Sequence, residues 1–211
     1  MRLRLADVEA DVTEIRALAA EHGHDETEWW LGPSSQPPDL HEQLVELGAG
    51  PPRDRTPKLT AMAITQAPAP GPPEVTARPV ETLEEMAAGI RIGWEAFDTP
   101  PEVRDADLER RWRERLESDS AVELVAFLDG EPVGHALGLY CPLGCLLIGG
   151  ATVPSARGRG AYRALVRARW DEAVRRGTPA LVVHAAPTSE PILRRLGFDE
   201  VCRLRRLEDP A

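Results

Sequence analysis

The sequence predicts a mixed α/β (α+β) fold with helices flanking a central sheet, preceded by an N-terminal extension. Three observations predict it. The runs Val122–Leu128 and Pro132–Tyr140 are strand-like and are joined by Asp129-Gly130, a hairpin turn signal that makes them antiparallel. A strand-like run, Leu146–Val153, is followed by helical spacing over Ala161–Arg176 and by a third apolar run, Ala180–His184. A βαβ crossover of this kind requires its two strands to pair in parallel. Finally, residues 67–73 form a Pro-rich linker that separates a domain over 74–211 from an extension over 1–66; from Gln66 to Pro73 there are four prolines in eight residues.

The elements follow in order. Leu5–Glu21 reads as an amphipathic helix. Glu28-Trp29-Trp30-Leu31-Gly32 is strand-like, Pro37-Pro38 opens a helix through Leu40, Leu44 and Leu47 that ends at Gly48, and Thr60–Ile64 is strand-like again. After the linker, Glu74–Arg78 is a short strand. Thr82-Leu83-Glu84-Glu85 has the form of a capping box and starts a helix to about Phe97. Thr99-Pro100 caps a further start, and Asp105–Glu117 has helical spacing around Leu108, Trp112 and Leu116. The two hairpin strands, Leu146–Val153 and the long helix follow; that helix is expected to bury Tyr162, Leu165, Val166, Trp170 and Ala173. A helix over Pro191–Leu196 and a strand over Glu200–Leu207 close the chain.

The run from Gly149 to Leu165 carries the chemistry. Pro154 ends the strand, Gly158 and Gly160 let the backbone pass close to a ligand, and the helix beginning near Ala161 adds its positive end. Converging N–H groups plus that dipole make a site for phosphate or pyrophosphate, with Arg157 and Arg159 as full charges at its rim. A P-loop is excluded because Lys58 is the only lysine in the chain. A dinucleotide fingerprint is excluded because Arg163 stands where the third glycine belongs. Arg159, Arg163 and Arg167 recur every four residues and share a helix face that can steer an anion.

Arg157, Gly158-Arg159, Gly160, Ala161, preceded by Val153-Pro154, resembles the acetyl-CoA loop of the GCN5-related N-acetyltransferases (GNAT). The segment Glu190–Phe198, with its Leu196-Gly197-Phe198 exit, is similar to that family's final helix. The resemblance covers about 74–211 and implies a GNAT-like, mostly antiparallel central sheet. It implies that Gly150, Ala151, Thr152 and Val153 bond the pantetheine arm through their backbone. The pyrophosphate is then implied to sit on the amides of Gly158, Gly160, Ala161 and Tyr162, with the thioester in a gap where the parallel strands splay. The implied activity is transfer of an acetyl group from acetyl-CoA to a small-molecule or peptide amine.

Two departures bear on the chemistry. The tyrosine that usually protonates the leaving thiolate is replaced by Leu193, and the asparagine often found before it by Ala186. Ser189 is a candidate for a bond to the cofactor or its thiol, with a helix cap as its alternative role. His184, at the end of the strand facing the implied gap, has an unperturbed pKa suited to a general base. Glu95, Asp98 and His135 are further candidates, and Trp94 and Phe97 are candidates to line the acceptor pocket. Residues 1–66 echo the strand, Pro-led helix, Leu-Gly and strand order of residues 180–207, so the extension reads as a degenerate half acetyltransferase domain or as an unrelated addition.

A net charge of −10 disfavours nucleic-acid binding. Met1-Arg2-Leu3-Arg4 is followed by Asp7, Glu9 and Asp11 rather than an apolar run, so neither a signal peptide nor a membrane partner is expected, and a cytoplasmic location is. Cys141, Cys145 and Cys202 are expected to be reduced and mostly buried, and no metal set is expected. A homodimer is a further expectation. The competing functional classes are a non-catalytic acyl-CoA-binding sensor or assembly module and a protein scaffold.

Overall fold

The computed structural model describes residues 3–53, 56–101, 104 and 107–210. These residues form eight strands and six α-helices in a mixed, mostly antiparallel arrangement. The chain divides into two compact units. One comprises Met1–Met62, His184–Leu193 and Glu200–Ala211, and the other Ala63–Val183 and Arg194–Asp199. Among the described residues no helix is long and apolar enough to cross a membrane.

The first unit begins with α1 (Val8–Glu21). It starts three residues later than its apolar spacing suggests, because the Asp7 carboxylate caps it by accepting from the Ala10 amide at 3.2 Å. β1 (Glu26–Leu31), α2 (Leu40–Glu46) and β2 (Lys58–Ile64, which continues past Met62) follow. Pro37 and Pro38 precede α2 rather than opening it, and Asp39 is the cap residue. β8 (Asp199–Pro210) pairs antiparallel with β1, from Glu26↔Pro210 to Leu31↔Arg205, in the order β1-β8-β2. Val12, Trp29, Leu31, Leu40, Leu44 and Leu207 form the core, each worth about 1.5–3 kcal/mol of burial. Asp209 is fully buried there and accepts from the Trp29 indole at 3.1 Å and from Arg16.

The second unit holds β3 (Val75–Pro79), α3 (Leu83–Ala96), α4 (Leu108–Glu117), β4 (Ala121–Leu128), β5 (Glu131–Cys141), β6 (Gly144–Thr152), α5 (Ala161–Arg175) and most of β7 (Leu181–Ala185). Its strand order is β7-β6-β5-β4-β3. Successive strands from β3 to β6 pair antiparallel, and β6 with β7 is parallel, as the crossover requires. α6 (Glu190–Arg195) begins in the first unit and ends in the second. Thr82 caps α3 by accepting from the Glu85 amide at 3.1 Å, as the capping box predicts. Met86 and Ile90 of α3 pack with Val80 and Val125, and Trp112 of α4 joins them.

Several sequence expectations are corrected. Tyr162 is half-buried, and the large side chain fully buried on α5 is instead Arg169. Leu116 turns to solvent, because α4 lies on the edge of its cluster through Leu108 and Trp112. Asp105, the expected first residue of that helix, lies outside the described residues. Cys141 is exposed at the end of β5, whereas Cys145 is buried. The Pro-rich segment is not a free tether. A Cβ on Gly71 would come within 2.6 Å of the Ala164 Cβ, and Pro68 accepts from Arg167 at 3.2 Å, so the segment lies along α5.

Candidate active site

β6 supplies one wall of the site. Its ladder to β7 runs Cys145↔Leu181, Leu146↔Val182, Leu147↔Val183 and stops. β6 continues, but Ile148 and Gly149 become exposed and Gly150 half-exposed, before Ala151 is buried again. Against β5 the register slips at the same place, with Leu137 opposite Ile148 and His135 opposite Ala151. Gly149 takes φ 59, a left-handed conformation suited to a bulge at that slip. An interior strand that loses its neighbour leaves backbone N–H and C=O groups available to a ligand.

The loop follows directly. The Val153 amide bonds the Val133 carbonyl at 2.9 Å, and one turn of 3₁₀-helix spans Pro154–Ala156. Gly158 at φ 76 and Gly160 at φ 84 both take the left-handed conformation that glycine adopts without cost. Gly160 is the cap of α5 and provides no side chain to its first turn, so the leading amides of the helix are left to other partners. A Cβ on Gly160 would sit 2.5 Å from Pro72, whereas around Gly158 there is open space. Arg157, Arg159 and Arg163 are exposed around this loop, and Arg159 reaches Asp129 only at 4.0 Å. Left-handed glycines, uncapped amides, exposed guanidinium groups and an opened strand suit a diphosphate attached to an extended amide-containing arm.

A family profile described as "Acetyltransferase (GNAT) family" matches residues 90–198. The chain belongs to the GNAT acetyltransferase family. Among curated proteins none matches the chain. A GCN5-related N-acetyltransferase from Kribbella flavida superposes with a TM-score of 0.73 at 20% identity, over 100% of this chain and 79% of its own. A second, from Sphaerobacter thermophilus, gives 0.67 at 22%, over 95% and 66%. A tandem GNAT protein from the clavulanic acid biosynthesis pathway gives 0.66 at 17%, over 96% and 69%. The GNAT fold is therefore shared over the full length of the chain.

On this GNAT frame the remaining candidates lie as follows. Ala151, Thr152, Val153, Arg157, Gly158, Arg159, Gly160, Ala161 and Tyr162 all lie in the second unit. Tyr162 lays its ring over Gly150, where a Cβ would meet it at 2.5 Å. His184 and Ser189 belong to the first unit. His184 follows Val183, the last residue of the parallel ladder, and is exposed on one side and packed on the other. That partial burial lowers its pKa from the ordinary histidine value. Ser189 donates its hydroxyl to the Ala186 carbonyl at 3.0 Å, and its own carbonyl accepts from the Ile192 and Leu193 amides at the start of α6. Glu95 is exposed at the last turn of α3, and Asp98 beyond it takes φ 49. Trp94 is half-buried under Arg104, and Phe97 is exposed. Leu193, at the usual tyrosine position, is fully buried. Among the described residues no group of three or more His, Cys, Asp or Glu could hold a metal.

Three features escaped sequence reasoning. Arg169 is fully buried against β5, donating to Leu165 and Leu137 carbonyls, and burial lowers its pKa. Glu123 of β4 lies 3.5 Å from His135 and 3.6 Å from Arg111. Burial alone would raise the Glu123 pKa, but those two partners outweigh it and hold it below the ordinary value. The spacing of Gly89 and Gly93 on α3 was the available signal, since a Cβ on Gly89 would strike His135 at 2.6 Å. The third is Trp30, whose ring lies against His184; nothing in a lone strand-borne tryptophan predicts that partner.

Proposed function

We propose that the chain is an acetyl-CoA-dependent N-acetyltransferase acting on the amine of a small molecule or peptide. The observation that carries the reading is the end of the β6–β7 ladder at Leu147↔Val183, directly before a loop with two left-handed glycines and an uncapped helix. In this reading the amides of Gly158, Gly160, Ala161 and Tyr162 hold the diphosphate, with Arg157 and Arg159 at its edge. The exposed backbone from Ile148 to Gly150 and on through Ala151, Thr152 and Val153 bonds the arm. Fixing the donor this way removes much of the entropic barrier to reaction with an amine.

The acceptor nitrogen forms a bond to the acetyl carbon while the carbon–sulfur bond breaks. His184 takes the proton that the nitrogen loses, and its lowered pKa keeps the imidazole free to do so. Glu95 is a second candidate base, exposed at the end of α3. Ser189 donates its hydroxyl to the Ala186 carbonyl, and its oxygen lone pairs can still accept from an amide of the arm. Leu193 supplies no proton to the leaving sulfur. An ordinary thiol has a pKa of roughly 8.5, so the thiolate can leave and be protonated by water. Buried Leu193 is also the observation that favours a second reading, a non-catalytic acyl-CoA-binding sensor or assembly module. Residues 1–66 are read as a degenerate half domain, a reading supported by β1 and β2 within them. Calorimetric titration with acetyl-CoA tests the cofactor assignment, and the reading fails if no heat of binding is seen. Thiol release with a panel of amines then separates enzyme from sensor.

A further inference from the structure

A closed set of side chains in the first unit surrounds the exposed Trp30. The Trp30 indole N–H donates to Glu28 Oε2 at 2.7 Å. The other carboxylate oxygen of Glu28 pairs with Arg206, which is only 6% exposed, and the Arg206 guanidinium carbon lies 4.9 Å above the Trp30 ring. Trp30 and Arg206 are directly opposed in the β1–β8 register, so the backbone itself sets this stack. The contacts hold the indole in one orientation although the ring is 38% exposed. The indole packs against His184: the ring centroids are 5.1 Å apart with planes tilted at 42°, inside the range where aromatic pairs attract.

We infer that Trp30, held by Glu28 and Arg206, is the positioning residue for His184. It fixes the imidazole at the end of β7 and holds it in the neutral form. The inference rests on the proposed function, in which His184 accepts the amine proton. Two physical effects act in the same direction. The indole covers one side of the imidazole and removes water that would solvate its charged form. Arg206 already lies over the same ring, so a protonated imidazole beside it meets an existing positive charge. Glu28, the carboxylate that holds Trp30, is itself paired with Arg206, and Arg203 of β8 pairs with Glu190 of α6 and Glu200. The lowered His184 pKa, caused by burial, agrees.

The test follows the His184 ring resonances by NMR through a pH titration of the free full-length protein. His184→Gln identifies the signal among the five histidines. Trp30→Ala should raise the His184 midpoint by roughly half a pH unit or more. The acidic limb of kcat/KM should move upward with it, while acetyl-CoA affinity stays at the wild-type value; Trp30→Phe should restore both. Should the alanine variant fail to fold, Trp30→Thr keeps a strand-favouring side chain at this exposed position without the covering ring and should show the same upward shift. A His184 midpoint and an acidic limb that stay in place in these variants would overturn the inference. Absence of acetyl-CoA binding by the wild-type protein would instead overturn the underlying functional reading, and the NMR midpoint is measured independently of it.

Discussion

Alanine at Gly160 and at Gly158 separates the two demands that the loop makes. Both residues have positive φ, 84 and 76. Any L-residue in that region carries a penalty of about 1–2 kcal/mol. If the amides bind the diphosphate only in this conformation, that penalty lowers acetyl-CoA affinity by about 5- to 30-fold. Gly158→Ala should show this effect alone, because its surroundings are open. Gly160→Ala adds a Cβ 2.5 Å from Pro72, closer than real carbon contacts come, so the linker or the loop must shift. Its affinity loss should exceed that of Gly158→Ala, and its melting temperature should fall as well. Calorimetric titration with acetyl-CoA, paired with thermal unfolding, measures both quantities. Wild-type affinity in both variants would refute the argument that left-handed glycines shape the diphosphate site. Equal behaviour of the two variants would refute the role given to Pro72.

Other residues give separate tests. The Glu123 pKa is held below its unfolded value, so the group adds stability above roughly pH 4.3, and that contribution is lost as pH falls through the lowered folded value. Glu123→Gln should therefore flatten the fall in melting temperature between pH 6 and 3; an unchanged slope would count against the His135–Glu123–Arg111 network. Asp209→Ala leaves Arg16 and the Trp29 indole without their acceptor and should cost about 3 kcal/mol in urea unfolding. A loss under about 1 kcal/mol would show that the buried carboxylate is not the organising group of the first unit. Of the thiols, exposed Cys141 should react with a neutral-pH thiol reagent at once, while Cys145, whose pKa burial pushes up to about 11, should react only on unfolding.

The order of elements was legible because each carried a local signal. The capping box at Thr82, the Asp129-Gly130 turn and the glycines at 158 and 160 act through their own backbone, and the structure has them where that chemistry requires. The strands of the N-terminal third were legible for the same reason. Placement of side chains across the fold was not. Arg169 follows the same helical periodicity as an exposed arginine, and its burial comes from the strands it happens to meet. Trp30 and His184 are far apart in the chain, and only the sheet brings them to 5.1 Å. The Pro-rich segment announced a break in secondary structure, but its contact with α5 depends on Gly71 and Ala164 being small. At α6 the sequence showed what was missing, a tyrosine at Leu193, and a buried leucine there offers no replacement.

The most direct test of the cofactor assignment is a crystal structure of the protein grown with acetyl-CoA. The account predicts the diphosphate within about 3 Å of the amides of Gly158, Gly160, Ala161 and Tyr162, with the arm along Ile148–Val153. A diphosphate bound elsewhere, or a loop closed over those amides with nothing in it, would contradict it.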